Sequence, residues 1–254
     1  PERRQRLRQV LEHLAMPALN WRDQLSRQGA LVEAWLEGGD ACTSPSVQGT
    51  IHPGGTVEVL STHEQILGGP TGQTYKGCRF PAAEPYRAAL QAIGQTVGEA
   101  LAAQGCLERY GVDVLARRFG DQWTLQALEI NLRQGGTTHP YLVLRAISGG
   151  RLDRSCGLFR SPIGQPLHYV ATDNFEDDRL RGLLPTDLID IVAEAGLHFD
   201  PTVMRGTVFH LLGCLSEFGK VGMTCIGGSE EDAAAVYAGT AAQLHSLAER
   251  LQGW

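Results

Sequence analysis

Apolar residues recur at helical spacing in several parts of the chain. Leu7, Val10, Leu11 and Leu14 follow this period within residues 2–14, and Pro17 interrupts it. Residues 86–104 and 183–195 show the same amphipathic pattern. Ser229 and Asp232 stand in the spacing of a capping box before the last apolar stretch. The pattern therefore predicts an opening helix, two internal helices and a terminal helix.

Shorter apolar runs separated by glycine and proline predict strands. Residues 46–61 form two runs around Pro53-Gly54-Gly55, and residues 109–118 and 123–132 flank Gly120-Asp121-Gln122, so we expect two antiparallel hairpins. Further strand-like runs cover residues 31–36, 207–215 and 221–226. Residues 68–77 are too rich in glycine and turn residues for a strand or helix, and are predicted to form a mobile loop.

The second hairpin carries the most informative polar residues. If Phe119 pairs with Trp123, the register places Asp113 opposite Glu129, and Asn131 shares their face because strand side chains alternate. Two carboxylates and an amide oxygen are hard ligands that suit Mg²⁺. Acidic residues near strand ends are also often simply exposed, so the spacing alone leaves both interpretations open.

Composition limits the classes of partner. The chain has 254 residues, 43% of them apolar and 20% charged, which are ordinary values for a folded protein with a substantial core. A net charge of −6 gives no electrostatic reason to expect nucleic acid or an anionic membrane as partner. The basic cluster at residues 3–8 is interpreted as a solvated helix face.

Cysteine usage and hydropathy bear on the compartment. The six cysteines are dispersed without a C-x-x-C pair, which favours neither a zinc site nor a disulfide framework and fits a reduced cytoplasm. No apolar run approaches the roughly 20 residues that a membrane helix needs, and no signal peptide is evident. We therefore expect a cytoplasmic protein without a membrane partner.

The hairpin sequence also resembles a known superfamily. GVD at residues 111–113 and LEINLRQGGTTHP at residues 128–140 resemble the magnesium motif of the ATP-grasp enzymes, and VEAWLEGGD at residues 32–40 resembles their hinge strand. The resemblance implies ATP and Mg²⁺ as cofactors and Asp113, Glu129 and Asn131 as metal ligands. It further implies contacts with ATP: adenine at Glu33, Ala34 and Leu36, ribose at Asp40, where Glu is usual, and an apolar support beneath adenine at Leu128.

Two longer segments resemble one branch of that superfamily. LSTHEQILGGPTGQTYKGCRFPA at residues 60–82 and GTVFHLLGCLSEFGKVGMTCIGGS at residues 206–229 are similar to the pheganomycin-type peptide ligases. The resemblance implies that a carboxylate attacks the γ-phosphate of ATP and that an amine then displaces phosphate from the acylphosphate. The expected substrates are a small carboxylic acid or amino acid and an amine or peptide.

The expected fold is α+β. It combines the C-terminal lobe of an ATP-grasp enzyme, with an antiparallel sheet and flanking helices, and a C-terminal α/β appendage. Residues 1–150 are expected to hold the adenine hinge and the metal-binding strands, and residues 151–254 the family-specific region, whose role stays open between substrate recognition and closure of the sheet.

Further residues follow the magnesium motif. Arg133 lies two residues beyond Asn131 and is the candidate catalytic residue, because a guanidinium can hold a carboxylate or acylphosphate through two hydrogen bonds. A surface ion pair would also explain it. The loop at residues 135–138 offers backbone N–H groups at the start of a helix. His63 and His139 flank the region, and either orients substrate or is an ordinary turn or core residue.

The resemblance to ATP-grasp enzymes also implies a second lobe, with a phosphate-binding lysine on a strand before the hinge, and nothing before Leu31 supplies it. The expectation from sequence is therefore an incomplete fragment that needs a missing N-terminal lobe or a partner chain. The alternatives are one half of a split ligase and a non-catalytic nucleotide-binding module.

Overall fold

The structure is a computed structural model and describes residues 38–70 and 72–251, together with residues 26, 27, 29 and 36. The predicted opening helix at residues 2–14 and the hinge residues Glu33 and Ala34 lie outside the described residues. The chain divides into two compact units, Pro1–Gly38 with Leu67–Thr74, and Gly39–Ile66 with Tyr75–Trp254. The sites described below belong to the second, larger unit.

The described residues form eleven strands and five α-helices. The strands are β1 (Ala41–Thr43), β2 (Pro45–Ile51), β3 (Val57–Gly68), β4 (Thr74–Phe80), β5 (Glu108–Phe119), β6 (Gln122–Asn131), β7 (Arg151–Asp153), β8 (Leu158–Arg160), β9 (Pro166–Glu176), β10 (Gly206–His210) and β11 (Lys220–Gly227). The helices are α1 (Glu84–Ala103), α2 (Thr138–Ser148), α3 (Pro185–Glu194), α4 (Leu215–Phe218) and α5 (Glu230–Leu251). Within this part of the chain, none of the helices is long and apolar enough to cross a membrane.

The strands join into one sheet, whose main path has the order β1-β5-β2-β3-β4-β9-β11-β10. Strand β6 also pairs with β5, and the short hairpin β7–β8 continues from β9. Pairings along the sheet are antiparallel, as in β2–β5, β4–β9 and β9–β11. The predicted α+β class, with an antiparallel sheet and flanking helices, is confirmed.

Helices cover the two faces of the sheet differently. On one face, α1 packs on Val47 and Val112, and α5 packs on Met223 and Cys225. On the opposite face, Tyr141 of α2 joins a core with further aromatic and aliphatic side chains from β4, β8, β9 and β11: Phe80, Phe159, Tyr169 and Ile226. Asp113 lies on this second face, because it pairs with Ser46, which is next to Val47 in β2.

Several predicted elements are confirmed within a few residues. The hairpin at residues 46–61 is β2–β3, the helix at residues 86–104 is α1, and the helix at residues 183–195 is α3. Ser229 accepts a hydrogen bond from the amide of Asp232 at 3.1 Å and so caps the terminal helix α5.

Two predicted elements are wrong in extent. Residues 68–77 are not a continuous loop, because β3 continues to Gly68 and β4 begins at Thr74. Gly77 fits within β4 because it lies against the Ala171 carbonyl of β9, where a Cβ atom would come within 2.2 Å. The strand expected at residues 207–215 ends at His210, and its apolar continuation forms a 3-10 turn and α4.

Candidate functional site

A β-bulge in the hairpin β5–β6 sets the position of the acidic residues. Phe119 pairs with Gln122 at the turn, one residue away from the predicted partner. Between Asp113 and Val114 the register shifts, so that Val114 pairs with Ala127 and Asp113 pairs with Glu129. Leu128 is the extra residue of this bulge. The predicted facing of Asp113 and Glu129 is therefore confirmed, although the turn that leads to it is not the predicted one.

Asp113 is the centre of a hydrogen-bonded polar group. Its Oδ1 accepts from the Gln65 side chain at 2.7 Å, and its Oδ2 accepts from Asn131 Nδ2 at 3.1 Å. Burial and the neighbouring negative charge of Glu129 raise the pKa of the Asp113 carboxyl. Glu129 itself is exposed. The structure thus brings together Asp113, Glu129 and Asn131, and leaves two carboxylates that repel each other.

This donor set fits a hard divalent cation. Two carboxylates and the remaining amide oxygen of Asn131 are oxygen ligands of the kind that Mg²⁺ takes together with phosphate and water. A cation between the carboxylates would relieve the repulsion that raises the Asp113 pKa. Within the described residues there is no group of three or more His, Cys, Asp or Glu side chains that could hold a metal. The candidate site therefore needs the Asn131 amide oxygen in addition to the two carboxylates, and phosphate or water as its remaining ligands.

Arg133 and the following loop extend this region toward α2. The exposed Arg133 guanidinium donates to the Gln134 carbonyl at 3.4 Å, and its positive charge partly offsets the rise in the Asp113 pKa. The loop closes on itself, since the Thr138 amide donates to the Gly135 carbonyl and the Gly135 amide donates to the Thr138 hydroxyl, both at 3.0 Å. The charge of Arg133 therefore acts on Asp113. Helix α2 begins at Thr138, where the loop ends.

Polar residues continue from Asp113 across the neighbouring strands. Cross-strand pairing links Glu129 with Asp113, Asp113 with Ser46, and Ser46 with His63. A second row on the same face links Asn131, Gly111, Gln48 and Ser61. The sequence prediction missed Gln65, Ser46, Gln48 and Ser61. The available signal was the polar residues on both sides of Val47 and the unbroken polar run at residues 61–65, but only the pairing shows that they adjoin Asp113.

His63 is at the buried end of the first row. It is fully buried, and its Nε2 is 2.7 Å from the hydroxyl of Tyr169 on β9. Burial lowers the pKa of His63 to about 3 and raises that of Tyr169, so both groups are neutral near pH 7. Of the two interpretations of His63, the ordinary core histidine agrees with its position in the structure.

The buried histidine predicts a pH dependence of stability. Below pH 6.5 the unfolded chain binds a proton at His63, while the folded chain keeps the ring neutral down to about pH 3, so the free energy of unfolding falls as the pH is lowered through this range. Between pH 7.5 and 4.5, we expect the free energy of unfolding to fall by on the order of 2 kcal/mol less in His63→Gln than in the parent protein. Glutamine does not titrate and can still bond Tyr169. Urea midpoints at the two pH values measure it, with the exposed His52 changed to Gln as control.

An equal fall in stability for His63→Gln and the parent protein would contradict the buried, neutral state of His63.

Of the predicted nucleotide contacts, Leu128 is next to Glu129 in β6, whereas Asp40 lies apart from Asp113. Leu36 is half-buried and is in neither a helix nor a strand. Asp40 is at the far end of β5, where its amide donates to the Arg118 carbonyl at 2.7 Å and its carboxylate accepts from the Gly120 amide at 2.8 Å. Five residues separate Asp113 from Arg118, or about 17 Å along a strand. Leu128 is 45% exposed on the bulge, so it is not a buried core leucine.

Sequence comparison relates the chain to a protein family and to a curated ligase. Residues 187–240 match the family described as the PGM1 C-terminal domain. Over 223 residues, or 87% of its length, the chain is 36% identical to L-propargylglycine--L-glutamate ligase of Streptantibioticus cattleyicolor, and this match covers 44% of that ligase. The chain thus spans about half the length of the curated relative that it matches. This relative confirms the resemblance that the sequence motifs indicated.

Structural comparison gives similar chains of lower identity. One is the phosphoribosylaminoimidazole carboxylase ATPase subunit from Aquifex aeolicus, with 13% identity and a TM-score of 0.49, covering 80% of this chain and 56% of that chain. Another is N5-carboxyaminoimidazole ribonucleotide synthetase from Thermus thermophilus, with 14% identity and a TM-score of 0.49, covering 80% of this chain and 51% of that one.

Proposed function

We propose that this chain, which resembles the ATP-grasp peptide ligases, supplies the metal- and carboxylate-binding part of an ATP-dependent enzyme that joins a carboxylate to an amine. The observation that carries the proposal is the convergence of Asp113, Glu129 and Asn131 on one face of the sheet, with Gln65 holding Asp113. The relative that shares 36% identity is named as a ligase of two amino acids. We therefore propose that the acid and the amine are both amino acids or short peptides.

The residues around Asp113 suit the transfer of a phosphoryl group. Asp113, Glu129 and Asn131 would hold Mg²⁺, which when bound supplies positive charge to the phosphates of ATP. Gln65 fixes one oxygen of Asp113 by its 2.7 Å hydrogen bond, so that the carboxylate keeps its orientation without reorganisation. Burial first, and then the like charge of Glu129, raise the pKa of Asp113, and a cation bound between the two carboxylates would offset that repulsion.

Arg133 and the loop before α2 suit the substrate carboxylate. One oxygen of the carboxylate attacks the γ-phosphorus of ATP, the bond from that phosphorus to the bridging oxygen breaks, and ADP leaves. The amine then attacks the acyl carbon, a C–N bond forms, and phosphate leaves. We propose that the exposed Arg133 guanidinium orients the carboxylate with two hydrogen bonds and stabilises charge on the acylphosphate.

The remaining expectations belong to the same proposal. Leu36, Asp40 and Leu128, with Glu33 and Ala34, are proposed to contact the adenosine part of ATP. The cytoplasm is proposed as the compartment, because all six cysteines are free thiols in the structure and this fits a reducing environment.

ADP release by the full-length protein tests the proposal. We expect ADP formation to require Mg²⁺, a carboxylic amino acid and an amine together, and product mass to equal the two substrates less one water. Hydroxylamine in place of the amine should trap the acylphosphate as a hydroxamate. Removal of Mg²⁺ with EDTA should stop both reactions. Tight ATP binding without ADP release for any pair of amino acids would contradict a ligase and favour a nucleotide-binding module.

A further inference from the structure

A second polar cluster lies at the start of α2, on the same face of the sheet as Asp113. His139 is the second residue of α2 and is exposed, and His210 is the last residue of β10. Their ring centroids are 4.4 Å apart with a tilt of 54°. These histidines come from positions 71 residues apart, and no step in the proposed function uses either ring.

Two glycines make room for this cluster. His210 pairs with Gly222 of β11, and a Cβ atom on Gly222 would be 2.2 Å from His210 Nε2, so the ring lies directly over this glycine. A Cβ atom on Gly136 would be 2.7 Å from the ring of Tyr75 on β4. Gly136 belongs to the loop that joins Arg133 to α2. The two glycines therefore let the His210 and Tyr75 rings approach the backbone closely at these positions.

The charged groups around the histidines are arranged by Asn174 on β9. Its side-chain amide donates to Asp173 Oδ1 at 2.7 Å and to the Tyr75 carbonyl at 3.3 Å, and its Oδ1 accepts from Lys220 Nζ of β11 at 2.9 Å. Lys220 is thus held by Asn174. The negative charge of Asp173 acts on His210 and, by itself, favours the protonated ring.

His210 stays neutral in this environment. Burial first, and then the neighbouring His139, lower the pKa of His210 to about 4. The buried Nδ1 of His210 has no hydrogen-bond partner within the described structure. The cluster therefore presents a neutral imidazole at His210 and a carboxyl group at Asp173, both of which can accept hydrogen bonds. A ligand with N–H donors and a positive charge fits this set.

We infer that His139, His210 and Asp173 form the subsite that receives the ammonium group of the amine substrate. The inference rests on the proposed ligase function, because it assigns the second substrate of that reaction. In this subsite Asp173 attracts the ammonium, and the half-buried His210 accepts one of its hydrogen bonds. His139, which is exposed, takes one proton from the ammonium and passes it to solvent.

The proton balance of this step is complete. The ammonium loses one proton to His139, which leaves a free amine with its lone pair. That lone pair attacks the acyl carbon of the acylphosphate, and the C–O bond to phosphate breaks as the C–N bond forms. A second proton leaves the new amide nitrogen with the departing phosphate. A positioned base of this kind typically contributes about 100-fold or more to the rate.

Hydroxylamine separates this subsite from the rest of the reaction. It is a neutral nucleophile near pH 7.5, so it needs neither an ammonium-binding carboxylate nor a proton acceptor. We expect His139→Gln and Asp173→Asn to raise the KM for the amine or lower amide formation by about tenfold or more, while hydroxamate formation from acid, ATP and hydroxylamine stays within twofold of the parent. His52→Gln, in the exposed turn between β2 and β3, is the control.

The pH profile gives an independent readout. Amide formation by His139→Gln should need a higher pH, because the amine must then lose its proton to solvent, and the shift should be absent with hydroxylamine. Equal loss of amide and hydroxamate in both variants would overturn the inference and indicate a structural role. Unchanged amide formation in both would also overturn it. Absence of hydroxamate in the parent protein would instead contradict the proposed function.

Discussion

We expect Glu129→Gln to lower kcat/KM for amine-dependent ADP release by about 100-fold or more in the full-length protein. Glutamine has nearly the same size as glutamate but removes the negative charge that pairs with Asp113 across the hairpin. Groups that stabilise developing charge in a preorganised site commonly contribute an effect of this size. The Mg²⁺ concentration needed for half-maximal rate should rise at the same time, because one of two carboxylate ligands is lost.

The matched control is Glu99→Gln on α1. Glu99 is exposed, bonds Gln95 on its own helix, and belongs to the helix that packs on the opposite face of the sheet. This variant makes the same chemical change and should keep the parental rate and Mg²⁺ requirement. If Glu129→Gln released ADP as fast as Glu99→Gln, Glu129 could not be a ligand of the metal.

Local pattern predicted the parts of the fold that depend on local sequence. Alternating residues around Pro53-Gly54-Gly55 and Gly120-Asp121-Gln122 gave both hairpins, and the helical period gave α1 and α3. The facing of Asp113 and Glu129 was also predicted, but for an incomplete reason. The turn is one residue tighter than expected, and the bulge at Leu128 restores the register. Bulges depend on packing and twist, and the sequence of β6 contains no feature that predicts a bulge at Leu128.

Long-range pairing explains what the sequence could not show. Strand β9 pairs with β4 and β11, which are separated from it by tens of residues, and its mixed polar sequence has no clear period of two. Gln65 adjoins Asp113 only because β2 lies between β3 and β5. His139 and His210 meet through the packing of α2 on the sheet, and their sequence positions give no reason to pair them.

The sheet also explains how the two halves of the sequence contribute to one surface. Asp113 and Glu129 come from β5 and β6, whereas Asp173 and His210 come from β9 and β10, within residues 151–254. Because His63 on β3 bonds Tyr169 on β9 across the intervening strand β4, the polar row from Asp113 reaches a strand of the second half. The role left open for residues 151–254 is therefore best proposed as recognition of the second substrate.

Arg133→Ala should lower kcat/KM for the carboxylic substrate by about 100-fold, since it removes the fork that we propose to hold the carboxylate and the acylphosphate. Its exposed side chain bonds only a neighbouring carbonyl, at 3.4 Å, among the hydrogen bonds of the described residues. Stability should therefore change little, and the melting temperature should stay within a few degrees of the parent.

Arg133→Lys distinguishes geometry from charge. Lysine keeps the positive charge but cannot form two parallel hydrogen bonds to a carboxylate, so we expect its kcat/KM to lie between those of the parent and the alanine variant. The control is Arg145→Ala, which removes an exposed arginine in the last turn of α2 and should be neutral for the rate. A rate for Arg133→Ala equal to that of Arg145→Ala would show that Arg133 is an ordinary surface charge. Full activity of Arg133→Lys with a strong loss in Arg133→Ala would show that charge alone, without the fork, holds the substrate.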